Sequence, residues 1–331
     1  MQELTRCVKV LSRKYYAAFK PLYEDFCRSA VTEYKFELEP LDYDSFIESL
    51  ENRLINCIIY IENEIPKAFL VYTLAISESI ELNIIHSQNF EHLAQRSCAL
   101  IKFFMEEVKT ERREKVVCYP MLGKQKGIVG EISLLGFKFV GIAVLRFLLH
   151  ETTSRQILNI AAMGELPKDY SIKYWEDKYM NDAVRVVQNA FSTSADALFD
   201  TRFASLDGTY DILNKIVTNV YADFFPAASS VLLYKGKPAG FCFANVTGGR
   251  IVNIPIFAIA KEHQSKGLSK YLLAETLKKV LTISDENQLP ITEINTNTET
   301  NNFQALKMYR NLGFKEDYNY PQSYLPATNK F

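Results

Sequence analysis

The second half of the chain alternates between apolar segments with the period of a strand and apolar segments with the period of a helix. Residues 251–260 are apolar at nearly every position, which is typical of a strand buried on both faces. Residues 192–207 show no period and are predicted to form a loop. The other predicted elements are strands 171–175, 231–234, 239–246 and 291–296, helices 183–191, 210–221, 273–281 and 303–312, and a last strand pair that begins at Phe314.

The first half repeats part of this order at a nearly constant distance. Residues 65–69 resemble residues 237–241, which aligns Pro66 with Pro238 and defines the proline offset. The Leu-Gly-Phe of residues 135–137 returns at 312–314, which aligns Gly136 with Gly313 and defines the glycine offset. The two offsets are nearly equal, which predicts an internal duplication.

A break in the apolar pattern separates the two halves. An apolar segment ends near Leu149, and glycine and proline interrupt the pattern at Gly164 and Pro167. A chain of 331 residues also exceeds the usual size of a single core. We predict one domain over residues 1–160 and a second over residues 165–331.

Composition excludes several classes of protein. The 38 basic and 39 acidic residues nearly cancel and form no long block of one sign, so neither nucleic acid nor a membrane is an expected partner. The six cysteines and four histidines lack the spacing of metal ligands, so we expect no metal and free thiols in a reducing compartment. The N-terminus does not resemble a signal peptide, and no apolar run reaches bilayer length. We therefore expect a cytoplasmic protein.

Two stretches near the C-terminus contain the candidate chemistry. Residues 264–269 place a glycine between an apolar strand and an amphipathic helix, where backbone N–H groups at the helix start are able to donate to phosphate oxygens. Residues 302–314 place the hydroxyl of Tyr309 on the next helix. The two stretches and the order of elements resemble the GNAT family of acetyl-CoA-dependent N-acetyltransferases over about the last half of the chain.

The resemblance implies an α+β fold in layers, with two GNAT-like domains that are each a mixed, mostly antiparallel twisted sheet flanked by helices. It also implies that acetyl-CoA is the cosubstrate. The family has Gly or Ala where this chain has Ser269, and serine is small as well. The residues expected to hold acetyl-CoA are Phe257, Ala258, Ile259, Gln264, Ser265, Lys266, Gly267, Leu268, Ser269, Lys270 and Asn302.

By the same resemblance, an acetyl group passes directly to a primary amine, with Tyr309 as general acid toward the departing thiolate. A packing role is the alternative for Tyr309, and a helix N-cap is compatible with Asn302. Glu293 is the predicted general base, with Glu299 and Asp200 as open alternatives. The residues expected at the acceptor side are Asp200, Arg202 and Phe203.

The first half is predicted to be a degenerate GNAT-like domain. No glycine precedes Gly123, so a cofactor cradle is not expected after the strand 80–85. By the glycine offset, Ile132 stands in the place of Tyr309 and Gln125 in the place of Asn302. The expected partner is a small-molecule or peptide amine, and the protein is a monomer or a homodimer. A non-catalytic acyl-CoA sensor and an acyltransferase for longer acyl-CoA are the alternative functions.

Overall fold

The computed structural model describes residues 6–36, 39–74, 79–149, 165–287 and 290–328. Within these ranges, no helix is both long and apolar enough to cross a membrane. The strands are β1 (Arg6–Val10), β2 (Asn56–Glu62), β3 (Ile65–Thr73), β4 (Ser79–Ser87), β5 (Val116–Pro120), β6 (Lys138–Leu148), β7 (Tyr170–Tyr174), β8 (Asp223–Phe224), β9 (Ser230–Tyr234), β10 (Lys237–Cys242), β11 (Asn245–Thr247), β12 (Ile251–Asn253), β13 (Phe257–Ile259), β14 (Glu293–Glu299) and β15 (Lys315–Leu325). The α-helices are α1 (Tyr16–Ala30), α2 (Tyr43–Glu51), α3 (Leu93–Glu107), α4 (Val129–Ser133), α5 (Met180–Phe191), α6 (Asp196–Phe199), α7 (Leu206–Val217), α8 (Leu268–Asn287) and α9 (Phe303–Asn311).

The described residues form two compact units that are interleaved along the chain. The first unit takes residues from Met1–Val140, Leu198–Asp200 and Tyr320–Phe331, and the second takes residues from Gly141–Ala197 and Thr201–Asn319. Most of β6 therefore belongs to the second unit, and the end of β15 belongs to the first. The predicted domains are not interleaved, and their boundary at 160–165 lies almost wholly outside the described residues. That the first domain is degenerate and the second catalytic stays a prediction.

The first unit is a sheet with helices on both faces. Its strands follow the order β1, β2, β3, β4, β5 and the end of β15, with β4 and β5 parallel and the other pairs antiparallel. Leu100, Ile101 and Phe104 of α3 are buried in one apolar cluster. Phe19 and Phe26 of α1 are buried in another. Each helix contributes one apolar face, as the helical spacing in the sequence requires.

The second unit contains two groups of strands. In one, β6, β14, β12, β11 and β8 lie side by side, and in the other β13, β10, β9 and β7 do. Leu273 and Leu277 of α8 are buried with residues of both groups. Val187 of α5 and Leu213 of α7 are buried in a separate cluster with β9 and β10. β6 is the antiparallel neighbour of β14, and the strand pair predicted after Phe314 is the single strand β15.

Both units have the same strand registers at the two offsets found in the sequence. Residues 79–81 of β4 pair in parallel with residues 116–118 of β5. Residues 251–253 of β12 pair in parallel with residues 293–295 of β14. The proline offset relates residues 79–81 of β4 to residues 251–253 of β12. The glycine offset relates residues 116–118 of β5 to residues 293–295 of β14. The shared registers support the predicted duplication.

The hairpins of the two units also share an irregularity. The register of β9 and β10 shifts between Pro238 and Gly240. The register of β2 and β3 shifts between Tyr60 and Ile61, opposite Pro66. The two prolines are the ones that the duplication aligns, and a proline cannot donate a backbone hydrogen bond to the neighbouring strand. The same residue type therefore interrupts the same hairpin in both units.

The prediction of one continuous strand over 251–260 is wrong, because Pro255 interrupts it. β12 pairs with β14, whereas β13 pairs with β10. Proline has no N–H for a strand ladder, so it is confined to edges and bulges. At the corresponding place in the first unit, Asn83 is skipped in the pairing of β3 with β4, and β4 continues. Pro255 thus separates β12 from β13, whereas the corresponding strand of the first unit, β4, has only a bulge.

Three other elements differ from the sequence prediction. The predicted loop 192–207 contains α6 and a turn of 3-10 helix. The helix predicted over 210–221 begins at Leu206 instead, because Ser205 caps it and accepts a hydrogen bond from the Gly208 N–H. The strand predicted over 291–296 is β14, which extends to Glu299. Its extension places Glu299 close to the start of α9.

Candidate functional site

β13 and β14 separate to form a fork. The parallel pairing of β12 and β14 ends at Asn253 and Asn295, and the next bond runs from the Ile254 N–H to the Asn295 carbonyl at 3.0 Å. Beyond Pro255, β13 pairs with β10 instead. The fork therefore opens between β13 and β14, beyond the point where β12 and β14 pair in parallel.

β13 turns part of its backbone toward this fork. The Ala260 N–H donates to the Ala239 carbonyl at 2.9 Å, so even-numbered residues here bond toward β10. Backbone groups of an antiparallel strand alternate in direction, so those of Phe257 and Ile259 point to the opposite side. That side is the one where β14 has moved away.

A tight turn joins β13 to α8. Ser265 and Gly267 have left-handed backbone, with φ of 59° and 70°. The Gln264 side chain folds back, and its Nε2 donates to the Ile259 carbonyl at 2.8 Å. A Cβ added to Gly267 would meet no heavy atom within 4 Å, so the space beside this residue is open. The open space adjoins the N-terminus of a 20-residue helix, whose dipole favours an anion there.

A cavity of about 510 Å³ joins this turn to the start of α9. Four of its residues were not predicted: His263, Gln304, Ala305 and Met308. The last three follow Asn302 on the same short helix, and their spacing from it was the signal available in the sequence. The lining residues are Phe257, Ile259, His263, Gln264, Ser265, Gly267, Leu268, Ser269, Asn302, Gln304, Ala305 and Met308.

Three predicted cofactor residues do not line this cavity. The Ala258 side chain is buried in the core between β13 and α5. The Lys266 ammonium donates to the Glu262 carbonyl at 2.8 Å. Lys270 lies with Lys307 in an adjoining cavity of about 230 Å³. The two lysines make this second cavity cationic.

Asn302 has both of the roles considered for it. Its Oδ1 accepts a hydrogen bond from the Ala305 N–H at 3.2 Å, which caps α9. It also lines the larger cavity. The cap and the cavity wall are therefore the same side chain.

Tyr309 lies beneath the cavity instead of in its wall. Its side chain is 3% exposed, and its ring packs edge-on against Phe314 with centroids 5.3 Å apart. Burial raises the pKa of the Tyr309 hydroxyl, and a hydrogen bond with the Thr296 side chain lowers it in part. Ala305 lies one helical turn before Tyr309, on the same side of α9, and lines the cavity. The phenol is therefore buried and does not line the cavity.

Comparison with known proteins agrees with this geometry. Residues 225–316 match the family model of an acetyltransferase (GNAT) domain. This part of the chain is similar to GNAT acetyltransferase domains. It contains the turn before α8, the fork, Asn302 and Tyr309. No curated protein matches the chain significantly.

Solved structures with a GNAT fold match this chain over 96–98% of its length. A GCN5-related N-acetyltransferase from Sphaerobacter thermophilus is 12% identical, with a TM-score of 0.62 over 96% of this chain and 95% of that one. A tandem GNAT protein from the clavulanic acid biosynthesis pathway is 12% identical, with a TM-score of 0.57 over 98% and 99%. A glucosamine N-acetyltransferase region of a fungal multi-domain β-N-acetylglucosaminidase is 10% identical, with a TM-score of 0.64 over 98% of this chain and 38% of that one. The protein thus has a tandem GNAT fold.

The two carboxylates of β14 lie at opposite ends of the strand. The Glu293 carboxylate accepts a hydrogen bond from Arg146 at 3.4 Å. It is buried at the start of β14 and does not line the larger cavity. Glu299 ends the same strand, and the length of β14 between them corresponds to about 20 Å. The Glu299 carbonyl accepts from the Asn302 N–H at 3.0 Å, next to the cavity. Glu299, and not Glu293, is therefore adjacent to the cavity.

A second carboxylate accompanies Glu299. The Glu299 Oε1 accepts from the Ala195 N–H at 3.4 Å. Burial raises the pKa of the neighbouring Asp196, and the charge of Glu299 adds to that shift. The loop before α7 therefore meets β14 at a pair of acidic side chains.

The predicted acceptor residues have structural partners. Arg202 is buried and pairs with Asp211 at 2.6 Å. Phe203 is buried and stacks on Phe191 with centroids 5.1 Å apart. Asp200 belongs to the first compact unit. Arg202 and Phe203 thus hold α7 against α5. Asp200, Arg202 and Phe203 do not line the larger cavity.

The first unit has a similar fork, which its own side chains occupy. Ile85 corresponds to Phe257 by the proline offset. Its carbonyl accepts from Gln125 Nε2 at 2.9 Å and from the Tyr34 hydroxyl at 3.4 Å. Gln125 stands in the place of Asn302, as the sequence predicted. The hydrogen-bonding group that would face a cofactor is therefore already paired within the protein.

A buried polar chain closes the same fork. The Tyr34 hydroxyl contacts His86 Nδ1 at 2.8 Å, and His86 Nε2 contacts Asp25 Oδ2 at 2.9 Å. Burial lowers the pKa of His86, and the hydrogen bond to Asp25 offsets part of that shift. Asp25 also accepts from the Asn89 N–H at 2.9 Å. These contacts place side chains beside the end of β4, which corresponds to β13 by the proline offset.

Candidate metal ligands do not cluster in the part of the chain that the structure describes: no three His, Cys, Asp or Glu side chains there are arranged to hold an ion. The six cysteines are free thiols, which fits their scattered positions along the chain. The polar side chains that line the larger cavity are those of His263, Gln264, Ser265, Ser269, Asn302 and Gln304.

Proposed function

We propose that this protein is an acetyl-CoA-dependent N-acetyltransferase that transfers acetyl directly to a primary amine. The main support for this proposal is that one cavity joins the glycine turn, the fork and Asn302. The N–H groups from Ser265 to Ser269 would hold the pyrophosphate, and the backbone of Phe257 and Ile259 would hold the pantetheine arm. Lys270 and Lys307 lie where they would add positive charge.

Acetyl-CoA supplies an acetyl group that is activated as a thioester. The Ile259 N–H faces the fork and is placed to polarise the carbonyl during amine attack. The nitrogen–carbon bond forms and the carbon–sulfur bond breaks, so the amine loses a proton and the thiolate needs one. Glu299 accepts the first proton, directly or through water, and Tyr309 donates the second.

Substitution of Tyr309 by phenylalanine tests the proposed acid. Y309F keeps the ring that packs on Phe314 and removes the hydroxyl. We expect kcat to fall about 100-fold, the low end for loss of a general acid, with acetyl-CoA affinity unchanged. Y179F is the matched control, because Tyr179 is a buried tyrosine of the same unit outside the cavity. Full turnover in Y309F would refute the assignment.

A second function has one observation in its favour. The burial of Tyr309 beneath the cavity is what a non-catalytic acyl-CoA-binding protein would also show, because the cradle alone provides binding. Such a protein would bind acetyl-CoA in calorimetry and acetylate no member of a broad amine panel. Turnover of any amine that depends on Tyr309 excludes it.

A further inference from the structure

His263 lines the larger cavity, and two tyrosines hold its ring. The Tyr170 hydroxyl contacts His263 Nδ1 at 2.8 Å, and the two rings meet edge-on with centroids 5.7 Å apart. Tyr234 lies against the imidazole with centroids 4.9 Å apart. Tyr170 of β7 and Tyr234 of β9 are directly opposite each other in the strand pairing. The orientation of the imidazole is therefore fixed by side chains of the second unit.

The backbone around His263 is held as well. The residue ends a 3-10 turn that follows β13, and its N–H donates to the Ala260 carbonyl at 2.8 Å. The cradle turn, residues 264–267, begins directly after it. The histidine thus stands between the fork and the turn whose N–H groups are proposed to hold the pyrophosphate.

Other nitrogen donors in this short segment already have partners in the protein. The Gln264 side chain donates to the Ile259 carbonyl at 2.8 Å, and the Lys266 ammonium donates to the Glu262 carbonyl at 2.8 Å. The Nδ1 of His263 is engaged with Tyr170. Within the part of the chain that the structure describes, Nε2 of His263 has no hydrogen-bond partner. It is the side-chain nitrogen that this segment leaves for a ligand.

The contact with Tyr170 decides what Nε2 offers. If the Tyr170 hydroxyl donates to Nδ1, the neutral ring carries its proton on Nε2. A protonated ring carries a proton on both nitrogens. Only the tautomer with its proton on Nδ1 presents a lone pair at Nε2, and an anion disfavours that tautomer. An anion in the cavity therefore meets an N–H donor at Nε2.

We propose that His263 is a further binding residue for acetyl-CoA, whose pyrophosphate accepts a hydrogen bond from Nε2, and that Tyr170 is the positioning residue for the ring. The inference rests on the proposed function, because it takes acetyl-CoA as the ligand of the cavity. It adds a side-chain donor to the backbone N–H groups of the turn. A hydrogen bond to an ionised phosphate oxygen is stronger than one between neutral groups.

The first unit has a carboxylate at the equivalent place. By the proline offset, Glu91 stands in the place of His263 and Glu62 in the place of Tyr234. A carboxylate repels a phosphate where an imidazole N–H would donate to it. The difference is consistent with the prediction that the first unit has no cofactor cradle.

Two amide variants distinguish the two ring nitrogens. His263→Gln places an amide N–H at about the reach of Nε2, whereas His263→Asn places one at about the reach of Nδ1. We expect H263N to raise the Kd for acetyl-CoA about 10- to 100-fold in calorimetric titration, because one hydrogen bond to a charged group is lost. H263Q should keep most of the affinity. Both variants are first shown to unfold like the wild type in urea.

A second ligand locates the contact on the phosphates. S-acetylpantetheine has the acyl arm of acetyl-CoA and no phosphate. Its Kd, measured by ligand-detected NMR, should be the same for H263N and the wild type. If H263N weakens the binding of both ligands equally, the pyrophosphate assignment is wrong.

The ring nitrogens provide a direct readout. The chain has four histidines, so in protein labelled with ¹⁵N-histidine the resonances of position 263 are assigned by their loss in H263N. We expect acetyl-CoA to shift the Nε2 resonance more than the Nδ1 resonance, with the proton on Nε2. Y170F should mix the two tautomers in the free protein, which a purely packing role of Tyr170 would not cause.

The outcomes separate this inference from the proposed function. Wild-type affinity of H263N for acetyl-CoA, or an Nε2 resonance that acetyl-CoA leaves unchanged, would overturn the role of His263 and leave the proposed function standing. Failure of the wild-type protein to bind acetyl-CoA would instead overturn the proposed function, and the inference with it.

Discussion

Substitution of Gly267 by alanine separates the cost of a strained turn from the loss of a ligand site. Gly267 and Gly236 both have left-handed backbone, with φ of 70° and 79°. A Cβ added to either meets no heavy atom within 4 Å. Gly236 lies in the turn between β9 and β10 and not in the cavity. Gly236→Ala is therefore a matched control.

The two variants should lose the same stability and differ in binding. Alanine in left-handed backbone costs about 1 kcal/mol, which lowers Tm by about 1–2 °C in a chain of this size. In G267A the new methyl group also occupies the open space where a phosphate would approach the backbone. Loss of one charge-assisted hydrogen bond, about 1.5–3 kcal/mol, raises the Kd for acetyl-CoA about 10- to 100-fold.

Calorimetric titration with acetyl-CoA and thermal unfolding measure the two quantities separately. We expect G236A to bind as the wild type does and G267A to bind weakly, with equal changes in Tm. If G267A binds acetyl-CoA with the wild-type Kd while its Tm falls as in G236A, the turn does not hold the cofactor and the proposed site is wrong.

Three further predictions follow from side-chain contacts. E299Q should lower kcat at least tenfold without loss of stability. E293Q should leave kcat unchanged and lower the free energy of unfolding in urea by about 1 kcal/mol, because it weakens the pair with Arg146. The opposite pattern would restore Glu293 as the base. One acetyl-CoA should bind per chain in native mass spectrometry, since Gln125 and Tyr34 already occupy the Ile85 carbonyl; two bound molecules would contradict this. Because burial lowers the pKa of His86, the folded state binds fewer protons than the unfolded state below about pH 6.5. The urea midpoint should therefore fall between pH 7.5 and 5.5 in the wild type and fall less in H86Q, and equal slopes would exclude His86 as the cause.

The order of elements was predictable because it depends on local spacing. The helix face of α8 and the short helix α9 follow from apolar periods that do not need the rest of the protein. The glycine turn was predictable for a similar reason, since it lies within a few residues that include Gly267, although the left-handed backbone of Ser265 was not foreseen. The proline and glycine offsets in the sequence reappear as strand registers.

The roles of individual polar side chains were less predictable. Glu293 and Glu299 are equivalent carboxylates in the sequence, and the structure distinguishes them by the Arg146 pair of Glu293 and by the contact of Glu299 with Asn302. Arg202 looked available for an acceptor, yet Asp211 pairs with it within the same unit. The role of a charged side chain depends on its neighbours in space, and those neighbours come from distant parts of the chain.

The sequence by itself predicted the strand and helix pattern and the glycine turn before α8, because each depends on residues that are near one another in the chain. The tertiary structure alone decided that most of β6 belongs to the second unit and the end of β15 to the first, because strand partners are selected by long-range pairing. It also decided that Pro255 opens a fork and that Tyr309 is buried against Phe314. Those features depend on how β13, β14 and α9 pack together, and packing is not encoded in the spacing of any one segment.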